Sequence, residues 1–391
     1  MDPCQEAVLY SHESAAILSQ FNLSWRAALA LPRGSDMLGF GVAGLGYNRR
    51  KMNMTAFRLV SLVSSVALSA LLASGSSWAH DPRGKGGPSP EIIKRIAEGN
   101  KALAGLDGSD TAKGIYSRMV QWPPTYAKVR VCFMGGEDAN NAKVAEIASE
   151  WTKGDAMGLR LDFGKTGKPR RCDANGQRES QIRVSYDQPG YWSVVGQASV
   201  VYLKQTEASL NLESVGDAKL EAFDVPDVRG TILHEFGHAL GFLHEHQSPV
   251  SECANEFNWD YIVKYLGGPP NNWDEDTIKV NMAPQAGDDL MMTDFDPKSI
   301  MLYYFPAEFY LKGEKSSCYI VAPNDSISET DRGTIEYMYP VDQGERESNY
   351  AQSKAQFSAI LTKAEQAGTK AVNMDFMGAF FGDKGVAANE E

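Results

Sequence analysis

Positive charge is in short supply in this chain of 391 residues: 38 lysines and arginines face 50 aspartates and glutamates, giving a formal net charge of −12. Phosphate backbones are gripped by basic surfaces, so this balance argues against nucleic acid as a partner. Cysteine is scarce too, with five in all and none in C-x-x-C spacing, which argues against a cysteine-built zinc site. There is no internal repeat. Only one long apolar run occurs, LVSLVSSVALSALLA at 59–73, and it is shorter than the roughly 18–20 residues of a membrane-spanning helix. Histidine is rarer than any of the charged residues: six in the chain, four of them inside the thirteen residues from His234 to His246.

The apolar run follows Arg58 and leads into the small-residue exit SGSSWA, with Ser77 and Ala79 ahead of His80. A basic start, an apolar middle and a small-x-small exit describe a secretory signal peptide. Met52 and Met54 both stand at the right distance to begin it. Residues 1–53 therefore read as a spurious or non-structural leader and 54–79 as a signal peptide, so that residues 1–79 are expected to be missing from the mature, secreted protein. No membrane association is expected after cleavage. GFGVAG at 39–44 matches the dinucleotide-binding glycine pattern, but no strand precedes it and no helix follows, and it reads as a chance match. With Cys4 in the leader, the exported chain keeps Cys132, Cys172, Cys253 and Cys318. An even number in an exported chain points to two disulfides, with three possible connectivities.

Residues 80–113 read as a linker or short pro-segment, opening with the Gly- and Pro-rich HDPRGKGGPSP and carrying a short amphipathic helix at 91–104. A domain is expected over 114–340. Strand-like stretches lie at 127–134, 159–163, 181–187, 199–204 and 208–212, and helical spacing at 137–153. Several strands around one helix, followed by the helix that carries the histidines, predict an α+β fold. The stretch from Glu245 to about Tyr339 is looser and closes with a helical segment at 328–339. Residues 341–391 read as a C-terminal helical extension, with an amphipathic helix at 347–367.

DVRGTILHEFGHALG (227–241) has the marks of a helix, with Asp227 placed to cap it and Gly241 to stop it. His234 and His238, four residues apart, then rise from one face, one turn above the other. Two imidazoles so placed can hold a single zinc ion. Glu235 can reach a water at that ion without being a ligand, the general-base position of H-E-x-x-H. A straight helix does not readily supply a third ligand to the same ion. Gly241 solves this, because a residue without Cβ can turn the chain sharply and bring back His244. Three neutral histidines leave one position open, as a catalytic zinc requires. His246, two residues further on, reads as a group behind the ligands or at the surface.

The string H-E-x-x-H-x-x-G-x-x-H, followed by SIMLYYF (299–305), resembles the zinc motif and methionine turn of the metzincin metallopeptidases. GFLHEH, GYWSVVG, FDPKSIM and ISETDRGTIEYMYP are similar to segments of the astacin branch over roughly 115–340. The resemblance implies a two-lobed domain with a twisted mixed sheet and the active-site helix in the first lobe. It implies one catalytic Zn2+ on His234, His238 and His244, with Met301 beneath it, Glu235 as catalytic base and Tyr303 as donor to the oxyanion. Tyr304 is the rival for that role if the register is off by one. Protein or peptide substrates would lie extended along an edge strand, for which 207–212 is the candidate. Several positions depart from the branch: QSPVSE follows the zinc motif, Leu302 replaces the histidine of the turn, Pro340 replaces a cysteine, and no F-x-G-D motif lies upstream. If each disulfide stays within one lobe, the pairs are Cys132–Cys172 and Cys253–Cys318. The expected activity is that of a secreted zinc endopeptidase. The alternatives are a zinc amidase acting on non-protein peptides, and a zinc-containing binding protein without turnover. Nothing in the sequence sets an oligomeric state.

Overall fold

The computed structural model describes residues 78–80, 91, 92, 94, 120–173, 179–269, 271–285 and 293–366. All belong to one unit, Phe57–Glu391; the other unit, Met1–Ala56, lies outside the described residues, as do most of the expected signal peptide, the linker and residues 367–391. In chain order the strands are β1 (Trp78–His80), β2 (Lys128–Phe133), β3 (Arg160–Asp162), β4 (Gly164–Lys165), β5 (Lys168–Pro169), β6 (Ile182–Ser185), β7 (Tyr191–Val194) and β8 (Leu210–Leu212). The longer helices are α1 (Asp138–Ala148), α2 (Pro226–Ala239), α3 (Trp259–Gly267), α4 (Glu275–Met282), α5 (Glu329–Met338) and α6 (Gln343–Gln366). The fold is mixed, with helices and a mixed sheet.

Six strands form one sheet in the order β1-β7-β8-β6-β2-β3, and β4 and β5 form a separate hairpin. β2 runs parallel to β3 and β6, and β6 parallel to β8, whereas β7 is antiparallel to both β8 and β1. Buried residues cluster in the middle of this sheet: Val129, Val131 and Phe133 of β2, and Ile182 and Val184 of β6, are all about fully enclosed. Burying each such side chain stabilises the fold by roughly 1.5–3 kcal/mol.

Two strand expectations fail. Residues 199–204 are not a strand; Gly196, at φ +50°, turns the chain out of β7, and Ala198–Val201 then coil into a single helical turn. That turn is stitched to the sheet by the buried Arg183, whose guanidinium donates to the carbonyls of Ser199 (2.7 Å), Glu207 (2.6 Å) and Ser180 (2.9 Å). Nor is 207–212 an edge. β8 lies between β7 and β6, and the end of the sheet is formed by β1, a strand from the exit of the expected signal peptide.

The described residues enclose two hydrophobic clusters. One joins the sheet, α1, α2 and parts of α5, and extends to Ile300 and Met301. The other gathers Phe257, Ile262, Leu266, Ile278, Met282, Phe305 and Phe309 from the later, less regular chain. Each is tied by one disulfide, Cys132–Cys172 with Cα atoms 4.9 Å apart and Cys253–Cys318 with 5.7 Å, as expected from keeping each pair within one region. No helix among the described residues is long and apolar enough to cross a membrane.

Candidate metal centre

α2 begins two residues before the start that an Asp227 cap would set. Pro226 occupies its first turn, where its missing N–H costs nothing, and Val225 precedes it without a side-chain cap. Asp227 is therefore not the cap; it sits in the first turn, where a negative charge suits the helix dipole. Ile232, Leu233 and Phe236 are fully buried, which offsets the roughly 0.5–1 kcal/mol that each internal glycine costs relative to alanine. Neither glycine has room for a side chain unless a neighbour shifts, and at Gly230 that neighbour is backbone. A Cβ at Gly237 would meet Met301 Sδ at 2.4 Å, and one at Gly230 would meet the Asn324 carbonyl at 2.4 Å. The helix stops at Leu240 in a Schellman motif: Phe242 N–H donates to Gly237 O (3.0 Å) and Gly241 N–H to His238 O (2.8 Å), with Gly241 at φ +106°.

This turn brings His244 back to His234 and His238, the three buried side chains whose ligand atoms lie within 4.8 Å of one another. His238 Nε2 is 3.0 Å from His234 Nε2 and 3.1 Å from His244 Nε2. Two nitrogens bound tetrahedrally to one zinc at 2.0–2.1 Å would be roughly 3.3 Å apart. The far side of each ring is also engaged. His234 Nδ1 donates to Ile300 O (2.7 Å) and His238 Nδ1 to Phe242 O (2.8 Å). His244 Nδ1 donates to Gln247 Oε1 (3.1 Å), an orientation fixed because the Gln247 amide nitrogen donates to Ala283 O (3.0 Å). A carbonyl oxygen only accepts, so the protons of neutral rings sit on Nδ1 and the Nε2 lone pairs face one another. Three converging lone pairs repel unless a cation lies between them. The donor set fits a metal ion, and His234, His238 and His244 are the residues able to hold it.

Burial, reinforced by the neighbouring imidazoles, holds His238 and His244 well below the usual imidazole range, so both are neutral as metal ligation requires. Glu235 is 1% exposed beside the first histidine. It borders a cavity of about 30 Å³, lined also by Thr231, Tyr303, Tyr304 and Asn324, with room for a water or two. Tyr303 is buried, its ring centred 4.0 Å from that of His244 and 5.1 Å from that of His234. The rival Tyr304 is half-buried and lines the same cavity.

His246 is not at the surface. It is 1% exposed, stacks on His244 with centroids 5.2 Å apart, and donates through Nε2 to Asn281 O (3.0 Å), so Nε2 carries the proton. Burial lowers its pKa to about 3. Glu245 accepts from Asp296 N–H (2.9 Å), and burial, with Asp331 and Asp296 nearby, raises its carboxyl to about 7. The ring-orienting partners were missed by motif reading. Gln247 had a weak signal, a polar residue three positions after a ligand on a turn, whereas the Ile300 and Phe242 carbonyls have none, because any residue type supplies a carbonyl.

No protein-family model and no curated protein matches the chain. Among solved structures, two of myroilysin match it. One is 26% identical over 56% of this chain and 96% of that one, with a TM-score of 0.45. The other is 25% identical over 56% of this chain and 86% of that one, with a TM-score of 0.39.

Proposed function

We propose that this chain is a zinc-dependent endopeptidase, exported and active on protein or peptide substrates. The observation that supports it is the convergence of three imidazole Nε2 atoms with a buried carboxylate, Glu235, beside them and a cavity at that carboxylate. A structural site closes its metal with a fourth protein ligand, whereas three histidines leave a position for chemistry. Zinc, when bound, supplies a Lewis acid that polarises the scissile carbonyl and eases deprotonation of water.

The protein's own groups do the rest. His234, His238 and His244 would hold the ion, each ring fixed by the acceptor at its Nδ1. Glu235 takes the proton from the attacking water and passes it to the leaving amine. Its burial favours proton traffic with a reacting group over loss of the proton to solvent. Tyr303, packed over His234 and His244, donates a hydrogen bond to the oxyanion as it forms. Export is supported by the two disulfides and by the signal-like segment at 54–79, with 80–113 as linker or pro-segment, 114–340 as the peptidase domain and 341–391 as an extension.

The variant Glu235→Gln separates ligation from chemistry. Glutamine keeps the shape but cannot accept the proton, so zinc content is expected to stay at one ion per chain while hydrolysis of denatured casein falls by at least the roughly 10⁴-fold upper range of acid–base catalysis. Metal analysis and peptide release are measured together, with a chelator control. A Glu235→Gln protein that cleaves near the wild-type rate refutes the mechanism.

A further inference from the structure

α5 lies far along the chain from the metal ligands, yet it reaches one of them in two steps. Its capping residue Ser328 and the third helical residue Asp331 form a reciprocal capping box: Asp331 N–H donates to Ser328 Oγ (3.0 Å) and Ser328 N–H to Asp331 Oδ2 (3.0 Å). Such boxes commonly sit at the surface, where their work is to start a helix. Here Asp331 is 3% exposed, and its carboxylate accepts two further bonds from the turn before Met301. Ser299 Oγ donates to Oδ1 (2.7 Å) and Ile300 N–H donates to Oδ2 (2.9 Å). The carbonyl of the same residue, Ile300, accepts the Nδ1 proton of His234 at 2.7 Å.

We propose that Asp331 is a positioning residue for the metal centre, acting through Ile300 to fix the tautomer and ring plane of His234. The inference rests on His234 being a metal ligand, as in the proposed function, but not on any peptidase activity. A buried carboxylate that accepts from a backbone N–H anchors that residue. It also polarises the chain of bonds running through Ile300 to the imidazole. Partners behind metal ligands set ring orientation and basicity, and their loss typically weakens metal binding about 10–100-fold. His238 and His244 have their own, separate acceptors in Phe242 and Gln247, so the effect is confined to one ring.

The test compares Asp331→Asn with Ser328→Ala. The first replaces one accepting oxygen by a donor facing donors; the second weakens the cap but leaves the carboxylate on Ile300. Zinc affinity is read by competition with a chelator, and imidazole tautomers by ¹⁵N NMR of the metal-free protein. Asp331→Asn is expected to weaken zinc about 10–100-fold and to shift His234 away from pure Nδ1–H, with His238 unchanged. Ser328→Ala is expected to lower the melting temperature while keeping wild-type affinity and the His234 signal. Should Asp331→Asn not fold, Ser299→Ala removes one bond to the carboxylate with the capping box intact. It is expected to give a several-fold weaker affinity, in the same direction. If the variant carrying the test binds zinc as wild type does and His234 keeps its tautomer, Asp331 is only a helix cap and the proposal is overturned. A wild-type protein that binds zinc but cleaves nothing would refute the peptidase reading alone.

Discussion

The chain before Gly241 and the chain after it deliver histidines to the same centre by different physical means. Before it, the helix itself is the instrument: two histidines four residues apart on α2 share a face, and the sheet below holds that helix through Ile232, Leu233 and Phe236. After it there is little regular structure near the site. His244 is held by a turn, by Gln247, and by the hydrogen bond from Glu245 N–H to Met301 O (3.0 Å). The aromatic cluster of Tyr303, Phe305, Phe257 and Phe309 packs behind it. The helix sets the spacing of its two histidines and carries the turn that follows; the later chain holds its histidine contact by contact.

The strongest test of that contrast is to remove one histidine from each side. His238→Ala and His244→Ala are both expected to abolish zinc binding and hydrolysis together, measured by metal analysis and casein cleavage. Since the contrast concerns positioning, the two should differ in what is left. His238→Ala opens a hole beneath the Schellman turn and loses the bond to Phe242 O, whereas His244→Ala leaves α2 intact. Thermal unfolding of the two metal-free variants reads this difference, and a more stable His238→Ala variant would break it.

The disulfides sharpen the comparison next. They span sequence separations of 40 and 65, so chain entropy alone predicts about 4 kcal/mol of stabilisation for each. Similar energies should have different consequences. Replacing Cys132 and Cys172 by serine is expected to lower stability with zinc still bound at saturation. Replacing Cys253 and Cys318 loosens the cluster that packs against Tyr303, and is expected to weaken zinc as well. Denaturant unfolding and chelator competition on both pairs distinguish the two, and equal effects on zinc would show that the later region does not depend on its cross-link.

The same contrast governs what could be read in the sequence. The shared face of His234 and His238 on α2, the central strands β2 and β6, and the closing helix α5 were all legible, because hydrophobic period and residue spacing are backbone properties. The segment 199–204 misled, since its Val-Val-Tyr run has the composition of a strand. Its backbone is committed instead to the turn at Gly196 and to Arg183, a long-range partner that local pattern does not contain. The edge of the sheet was misplaced for a related reason: strand order depends on pairing between distant segments. His246 was half misread, because two residues beyond a ligand on a turn says nothing of which side is buried. Asp331 carried a legible cap signal in SETD, but its reach to Ile300 is tertiary.

Tyr303→Phe is expected to act on turnover with the metal retained. Loss of one oxyanion donor costs about 10²–10³-fold in kcat. The phenyl ring should keep its stacking on His234 and its packing against His244, so zinc affinity and melting temperature are expected to stay near wild type. Steady-state kinetics with a peptide substrate gives the value. If Tyr303→Phe is silent and Tyr304→Phe is not, the donor is the half-buried neighbour on the same cavity.

The smallest expected effect is at the junction itself. Gly241 has φ +106°, a conformation in which a side chain is strained by about 1–3 kcal/mol. A Cβ there would also press Met338 Cε at 3.2 Å and lie 3.5 Å from Tyr339 Oη, which donates to the Leu240 carbonyl at 2.6 Å. Met338 is flexible and can give way, so the strain is mainly that of the backbone. Gly241→Ala should therefore lower stability by an amount in that range. It should also weaken zinc, since the way to relieve the strain is to unwind the turn that returns His244. If the two regions are as different as argued, the cost falls on the later one: His244 loses order while His234 and His238 keep their separation. NMR of the three rings in metal-free Gly241→Ala reads this directly. Equal disturbance of all three would mean that α2 leans on the turn as much as the turn leans on α2.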